Sequence, residues 1–190
     1  MESKAVSIIN RIKLAEYFGE LGFKVGAEIG VAKGYYSEVL CQSIPGLKLY
    51  CIDSWSAYPT YDHNMKKHEN NFTIAKQILL KYHCELIKKF SMDAIKDFED
   101  GSLDFVFIDG NHKYEYVKED ITEWTKKVKI GGIVSGHDYY TSKNRRVRVK
   151  QAVNEYIAQT GYKLQLTDNR RHLEKRDNQH QCWYFIKEAI

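Results

Sequence analysis

Acidic and histidine side chains follow the apolar segments of this sequence at the points where those segments end. Acids placed in this way could bind a hard cation or the hydroxyls of a ribose, and a neighbouring histidine could act as a general base. Each residue alone could also be a turn former or helix cap, because Asp and Asn are common in both. The recurrence at the ends of the first five predicted strands favours a functional site, and the residues are Glu28, Asp53, Ser91 with Asp93, Asp109 with Asn111 and His112, and His137 with Asp138.

Glycines in the segment 25–37 limit the ligand that could bind beside these acids. They recur at four-residue spacing up to Gly30 and Gly34, with Glu28 among them. This spacing matches neither the G-x-G-x-x-G dinucleotide motif nor the P-loop, so NAD and ATP are disfavoured. A carboxylate beside the loop suits a ligand with a cationic amino group, and Asp53 at the next strand tip is placed to bind a ribose. The pattern therefore favours an amino-acid-bearing nucleoside.

Apolar runs and helical periodicities alternate along the chain, which predicts the elements that position these residues. The predicted fold class is α/β, with a doubly wound, Rossmann-like seven-stranded sheet. Five strands are expected to be parallel, and a C-terminal β-hairpin adds an antiparallel strand. The strands are predicted at 25–29, 47–53, 84–90, 103–109, 133–138, 162–167 and 182–187, and the helices at 4–21, 34–44, 74–82, 114–129 and 146–159, with a short helix at 91–94 for which Ser91 is the expected N-cap.

The length of 190 residues fits one domain covering 1–190, with an N-terminal helix inside 1–22. The segment 54–72 follows a strand and has weak periodicity, which predicts a long loop. Such loops are uncommon unless they cover a site. We therefore expect a lid or a wall of the substrate pocket here, and the alternative is a surface excursion with a few packed aromatic residues.

Composition and charge exclude several classes of protein. The formal net charge of +4 is too small to indicate nucleic-acid binding by itself, so the basic clusters at 145–150 and 170–171 are interpreted as solvated faces. The sequence shows no apolar run long enough for a membrane span and no signal-peptide pattern. Four scattered cysteines favour reduced thiols, so we expect a cytoplasmic protein that does not contact a membrane.

Two sequence blocks together resemble a known family. The stretch Glu28-Ile-Gly30-Val-Ala-Lys-Gly34 resembles the E/D-x-G-x-x-x-G first motif of class I S-adenosylmethionine-dependent methyltransferases, and Asp53 matches the acid of their second motif. The block 103–120, followed by Gly131-Gly132 and His137-Asp138-Tyr139, resembles one subgroup of them. That subgroup contains small-molecule enzymes of the macrocin-type O-methyltransferases and their cephalosporin-hydroxylase-like relatives.

The resemblance implies a binding mode for S-adenosylmethionine. Glu28, Gly30 and Gly34 would surround its methionine part, and Asp53 would bind its ribose hydroxyls. Met92 would lie against the adenine, with Ser91 or Asp93 near its edge, and Asp109 would face the reacting centre.

The resemblance also implies catalytic roles, with Asp109, His112 and Asp138 as the candidates. In several relatives, acids at the positions of Asp109 and Asp138 hold Mg²⁺. His137 stands where some relatives carry a further acid, and it suits a borderline divalent metal better than Mg²⁺. His112 could act as the general base, and the alternative is a structural histidine bonded to the following helix.

The predicted function is therefore methyl transfer from S-adenosylmethionine to a small-molecule acceptor, at a hydroxyl group. We expect the loops around 55–68 and 139–145 to form the acceptor wall, with closure by these loops or by a partner subunit in a homodimer. A cofactor-binding module without transfer activity is one alternative. An RNA methyltransferase that uses the basic clusters is another, and nucleic acid is disfavoured because the base-amino motif N/D-P-P-Y/F is absent after the fourth strand.

Overall fold

The computed structural model describes residues 8–56, 65–142, 147–168 and 180–189 of the chain. Helices and strands alternate from α1 to α6, and two short strands complete the fold, as the sequence pattern predicts. The helices are α1 (Arg11–Glu20), α2 (Tyr35–Ser43), α3 (Met65–Leu79), α4 (Ser91–Ala94), α5 (Tyr114–Lys127) and α6 (Val149–Thr160). The strands are β1 (Val25–Ile29), β2 (Lys48–Asp53), β3 (Cys84–Lys88), β4 (Leu103–Ile108), β5 (Val128–Gly136), β6 (Gln165–Leu166) and β7 (Trp183–Ile186).

The strands form one seven-stranded sheet in the order β3-β2-β1-β4-β5-β7-β6. Strands β1 to β5 pair in parallel, and β7 runs antiparallel to both β5 and β6. This arrangement confirms the predicted doubly wound sheet with a C-terminal antiparallel pair at its edge. The strand order reverses between β1 and β4, and the carboxyl ends of strands at such a switch point are where open α/β sheets bind ligands.

Both faces of the sheet are covered by helices, and each face has its own apolar core. On one side α1, α2 and α3 pack on the sheet, and on the other side α4, α5 and α6 do so. Side chains that represent the six helices in order are Leu14, Leu40, Leu79, Ala94, Trp124 and Val153, all at most 1% exposed. Because both faces are buried, the strands read as continuous apolar runs rather than alternating ones.

The predicted long loop at 54–72 is partly wrong. Helix α3 begins at Met65, nine residues before the predicted start, and residues 57–64 lie outside the described ranges. The helix buries only Ala75 and Leu79 of its own length, so its first half shows no apolar periodicity from which a helix could be predicted. Phe72 on this first half packs against Trp55, with ring centroids 4.8 Å apart.

Other boundaries differ by a few residues. Strand β3 ends at Lys88, and Phe90 is the N-cap of α4, so Ser91 is the first helical residue and not the cap. Strand β5 begins at Val128, before the predicted position 133, and its first residues pair irregularly with β4. Helix α1 begins at Arg11, because the Asn10 side chain caps it by accepting a hydrogen bond from the Lys13 backbone N–H at 2.9 Å.

All four cysteines carry free thiols, as predicted. Cys51 and Cys182 are buried, whereas Cys41 and Cys84 are half-buried with their Sγ atoms 3.4 Å apart. Within the described residues, none of the helices has the length and apolar character needed to cross a membrane.

Candidate functional site

The turn after β1 contacts the end of β4 so closely that it requires glycine. Gly30 has a φ of +92°, and a Cβ atom there would lie 2.3 Å from the carbonyl oxygen of Asp109. The Asp109 backbone N–H donates to the Ile29 carbonyl at 2.7 Å, which joins the two strand ends. The glycine therefore lets the first loop and the Asp109 segment meet at the switch point.

Asp53 at the end of β2 holds the neighbouring loops together. Its Oδ2 accepts the Ala32 backbone N–H at 2.8 Å, its Oδ1 accepts the Trp55 backbone N–H at 2.7 Å, and the Trp55 indole donates to the Ala32 carbonyl at 2.8 Å. Ala32 and Trp55 have φ values of +49° and +39°, which L-residues rarely adopt. These three bonds stabilise the unusual backbone. Each carboxylate oxygen keeps a further lone pair that a ligand hydroxyl could use.

A cleft of about 260 Å³ opens at this edge of the sheet. Five of the residues predicted from the sequence line it: Gly30, Asp53, Ser91, Asp109 and His112. A second cavity of about 270 Å³ adjoins it and is lined by the predicted Met92. The two cavities share three lining residues, Ser91, Asn111 and Asp120, so these residues stand at the junction between them.

Two predicted cofactor residues lie behind the cleft rather than on its surface. Glu28 is 2% exposed and accepts a hydrogen bond from the Ser37 hydroxyl. Burial raises its pKa to about 8, against the opposing effect of the Ser37 hydrogen bond. Gly34 begins α2 with a φ of +78°, and a Cβ atom there would lie 3.1 Å from the Leu79 side chain. Gly34 thus shapes the loop, and burial favours the neutral form of the Glu28 carboxyl group.

The structure does not bring Asp93 to the cleft. Its carboxylate is 64% exposed and pairs with Lys96 at 3.1 Å. Ser91, two residues earlier in α4, faces the cleft. Residues two apart on a helix lie on different faces, so Ser91 and Asp93 cannot both point to the same cavity.

Two acids and two histidines form one cluster beyond β4 and β5. His112 Nε2 lies 2.8 Å from Asp138 Oδ2 and 3.4 Å from Asp109 Oδ1. His137 Nδ1 lies 3.3 Å from Asp138 Oδ1 and 3.9 Å from Asp109 Oδ2. His112 therefore contacts one oxygen of each carboxylate, and His137 faces the other. Asp138 has a φ of +57°, an unusual conformation for a residue other than glycine.

The ion pairs in this cluster change the protonation of its members. Burial alone would lower the pKa of His112, but the hydrogen bonds and charges of Asp109 and Asp138 outweigh it and raise the pKa to about 10. Burial alone would raise the pKa of Asp138, but His112 and His137 hold it well below its usual range. His112 is therefore a protonated ion-pair partner in this arrangement, and its ring bonds to the acids rather than to the following helix.

The cluster has a donor set that fits a divalent cation. Asp109, His137 and Asp138 each offer one ligand atom, and these atoms lie within 4.8 Å of one another. His137 is 8% exposed, and its Nε2 is buried without a hydrogen-bond partner among the described residues. Two carboxylate oxygens and one imidazole nitrogen suit a first-row transition metal such as Fe²⁺ or Mn²⁺ better than Mg²⁺, which prefers oxygen alone.

The predicted acceptor wall is only partly described. Trp55 lines the cleft, and Lys67 and His68 of α3 line the same side. Beyond β5, Tyr140 stacks on His180 with ring centroids 4.0 Å apart. Residues 57–64 and 143–145 of the two predicted wall segments, and the basic pair at 170–171, lie outside the described ranges.

Two buried polar residues stand at the junction of the two cavities, and one of them, Asp120, was not predicted from the sequence. Asp120 on α5 is 4% exposed, and burial raises its pKa to about 7. Asn111 is 6% exposed, and its Nδ2 has no hydrogen-bond partner among the described residues. The sequence identified Asn111 as a strand-end residue. Asp120 stands among the other charged residues of α5, so the sequence carried little signal for it.

Comparison with known proteins agrees with this geometry. Residues 27–139 match the sequence model of a family described as a methyltransferase domain. A curated protein of Sinorhizobium fredii, the uncharacterized y4gI, is 25% identical over 115 residues. That match covers 58% of this chain and only 12% of y4gI, so the chain spans a small part of its curated relative.

Solved structures of similar fold cover nearly the whole chain. The O-methyltransferase from Bacillus cereus, in complex with S-adenosylhomocysteine (SAH), has a TM-score of 0.69 at 16% identity, covering 93% of this chain and 80% of that one. An rRNA methylase from Streptococcus thermophilus has a TM-score of 0.66 at 16% identity, covering 96% of this chain and 99% of that one. At such identities the likeness is one of fold.

Proposed function

The chain belongs to the methyltransferase-domain family that residues 27–139 match, and from this premise we propose that it methylates a hydroxyl group of a small molecule with S-adenosylmethionine as methyl donor. One observation carries the proposal. A single cleft is lined by Gly30 and Asp53, which we call its cofactor end, and by Asp109 and His112, which together with the Asp138 that His112 contacts we call its acceptor end. The first end suits a nucleoside cofactor, and the second suits an acceptor that must lose a proton.

The cofactor assignment is supported by the bound SAH of the Bacillus cereus relative and by the loop geometry. The methyl group of a bound sulfonium cofactor is already activated: its bond to sulfur breaks as the bond to the acceptor oxygen forms, leaving SAH and a proton. The protein has to bind and align the reactants. We assign Gly30 and Asp53 to the loop and ribose, and Glu28 to the amino group of the methionine part.

For the acceptor end we assign Asp109 and Asp138 as ligands of a divalent cation, with His137 as the third candidate. A cation bound there would lower the pKa of the acceptor hydroxyl and orient it. The support is the mixed oxygen and nitrogen donor set, whose atoms lie within 4.8 Å of one another.

His112 has two candidate roles at this end. Its Nε2 is already bound to Asp138 at 2.8 Å, so it can act as general base only after that ion pair opens. The role that fits the closed arrangement is positioning, in which His112 fixes one oxygen of each carboxylate and leaves the other for a cation. Asp109→Asn would remove the negative charge from one of those contacts without changing side-chain size.

The direct test is a transfer assay with the purified chain, labelled S-adenosylmethionine and a panel of hydroxyl acceptors such as catechols, phenols and sugars. We expect label to move to at least one hydroxyl compound and to increase with added Mn²⁺ or Mg²⁺. SAH binding without transfer to any acceptor would favour a cofactor-binding module.

A parallel assay arm contains total RNA in place of the small molecules. The fold of the rRNA methylase relative makes this arm informative. Transfer to RNA, weakening steeply with salt, would contradict the proposal and identify an RNA methyltransferase.

A further inference from the structure

The junction between the two cavities contains a hydrogen-bond donor and an acceptor group that no described residue uses. Asn111 Oδ1 accepts the Lys113 backbone N–H at 3.1 Å, whereas its Nδ2 is buried without a partner among the described residues. An unpaired buried donor costs roughly 1–3 kcal/mol, so its retention points to a ligand. Asn111 lines both cavities and can donate Nδ2 to a ligand acceptor there.

Asp120 supplies the acceptor, and its orientation is fixed by a chain of hydrogen bonds. The Trp124 indole donates to Ser91 Oγ at 2.7 Å, and Ser91 Oγ lies 2.5 Å from Asp120 Oδ1. An indole N–H can only donate, so the Ser91 hydroxyl must send its own hydrogen to Asp120. Oδ1 is thereby occupied, and Oδ2 has no hydrogen-bond partner within the described part of the chain.

The cavity walls around this pair suit a flat heteroaromatic ring. Phe90, Met92 and Tyr116 line the second cavity beside Asp120 and Asn111. Apolar and aromatic walls with a few convergent polar groups are typical of ligand sites. A ring that carries a donor next to an acceptor on one edge would match both unused groups.

We propose that Asp120 and Asn111 recognise the base of the cofactor, with Asp120 accepting from the exocyclic amine of adenine and Asn111 donating to the ring nitrogen beside it. This inference rests on the proposed function, because it takes the cofactor to be an adenosine derivative. It assigns base recognition to α5 and to the turn after β4. Asp93, the residue expected near the adenine edge from the sequence, faces solvent instead.

The protonation of Asp120 agrees with this assignment. Burial raises its pKa to about 7, since the single Ser91 hydrogen bond only partly offsets the loss of hydration. A second donor, supplied by the amine of the base, would stabilise the carboxylate. The amine of an adenine would therefore complete the hydrogen bonding of the Asp120 carboxylate.

The test compares SAH with S-inosylhomocysteine, in which a carbonyl replaces the exocyclic amine. Calorimetry on the wild-type chain should show SAH binding tighter by about 100-fold, because Asp120 would face an acceptor in the deaminated ligand. The side-chain amide of Asp120→Asn can donate to that carbonyl. We therefore expect the affinity of this variant for SAH to fall about tenfold, and its preference for SAH over S-inosylhomocysteine to fall by a similar factor or more. Asn111→Ser should weaken SAH about tenfold.

Asp93→Asn is the matched control, since it makes the same change two residues from Ser91 on the exposed face, and it should leave both affinities unchanged. Melting curves identify any variant that is not folded, and the wild-type preference tests the inference without a variant. If the wild type binds both ligands equally, or if Asp120→Asn and Asn111→Ser keep the wild-type ratio, base recognition lies elsewhere while the proposed function stands. If SAH does not bind the wild type at all, the proposed function and this inference both fail.

Discussion

The acids around the two proposed ends of the cleft have opposite kinds of partner. At the cofactor end, Glu28 and Asp120 are bound by the neutral hydroxyls of Ser37 and Ser91. Burial raises their pKa values to about 8 and about 7. At the acceptor end, His112 and His137 hold the pKa of Asp138 well below its usual range, although burial acts there too.

The difference shows that the partner, rather than burial alone, decides the charge of each acid. A hydroxyl supplies one hydrogen bond and no charge, so the pKa values of the cofactor-end acids stay raised until a ligand brings a donor or a cation. His112 supplies positive charge, so the carboxylate of Asp138 already has a charged partner. We infer that the cofactor end is built to exchange a proton for its ligand, and that the acceptor end is preorganised.

Gly30→Ala should have the largest effect, because the added Cβ atom would push the loop after β1 away from the Asp109 segment. The added Cβ atom would lie 2.3 Å from the Asp109 carbonyl oxygen, in a backbone with φ +92°. Strain and overpacking together should lower the free energy of unfolding by about 4 kcal/mol. Denaturant titration measures this. Gly22→Ala is the control, since Gly22 has φ +74° with nothing within 4 Å, and it should cost only about 1 kcal/mol. Equal losses of unfolding free energy in the two variants would show that the contact with Asp109 does not contribute to the cost of Gly30→Ala.

Asp109→Asn should affect the acceptor end alone. Loss of one carboxylate charge should reduce the methyl-transfer rate about 100-fold, while the SAH dissociation constant changes by no more than about threefold. Transfer kinetics and calorimetry on the same preparation measure the two quantities. Asp97→Asn, a change at an exposed acid that pairs with Lys89, is the control. A large loss of SAH affinity with an unchanged rate would mean that the two ends are assigned the wrong way round.

Glu28→Gln should stabilise the empty protein, and only above acidic pH. The pKa of Glu28 is raised from 4.5 to about 8, so the folded chain keeps a proton that the unfolded chain loses, and stability falls as pH rises between these values. Glutamine removes that loss. We expect the variant to equal the wild type near pH 4, to be about 2 kcal/mol more stable near pH 6, and to gain further up to pH 8. Unfolding curves across this range measure the difference, and exposed Glu16→Gln should show none. A variant that is less stable near pH 8 would refute the assignment of a neutral Glu28.

Ser91→Ala should have the smallest effect, confined to the cofactor end. It removes the hydroxyl between Trp124 and Asp120 and leaves the indole N–H without its acceptor. The expected loss is about 1 kcal/mol in the free energy of unfolding, with a further rise in the pKa of Asp120. Denaturant titration and the pH dependence of SAH affinity measure these. An SAH affinity with the same pH dependence as in the wild type would show that Ser91 does not act through Asp120.

The fold could be predicted from sequence because its strands are buried on both faces. Strand β1 was predicted with its observed bounds, and β4 extended only one residue too far, since their apolar runs end in turn residues. Helix α3 was only partly predicted, because it buries so little of its surface. Residues 129–131 near the start of strand β5 are exposed, so this part of the strand shows no apolar run from which it could be predicted.

The acids at the strand ends could be found because parallel strands bring their carboxyl ends to one edge. Asp120 could not, because its burial depends on Ser91 and Trp124, which approach it only in the folded chain. The difference between the acids at the two ends could not be predicted from the sequence either. Which acid meets a hydroxyl and which meets a histidine depends on contacts between segments far apart in sequence.

The most direct test of this account is calorimetric titration of the wild-type chain with SAH near pH 7, in two buffers of different ionisation enthalpy. We predict saturable binding of one SAH per chain, with net release of protons as Glu28 and Asp120 ionise against the ligand. No binding up to about 1 mM SAH would contradict the assignment of the cleft as a cofactor site. Binding with the same heat in both buffers would contradict the proposed difference between its two ends.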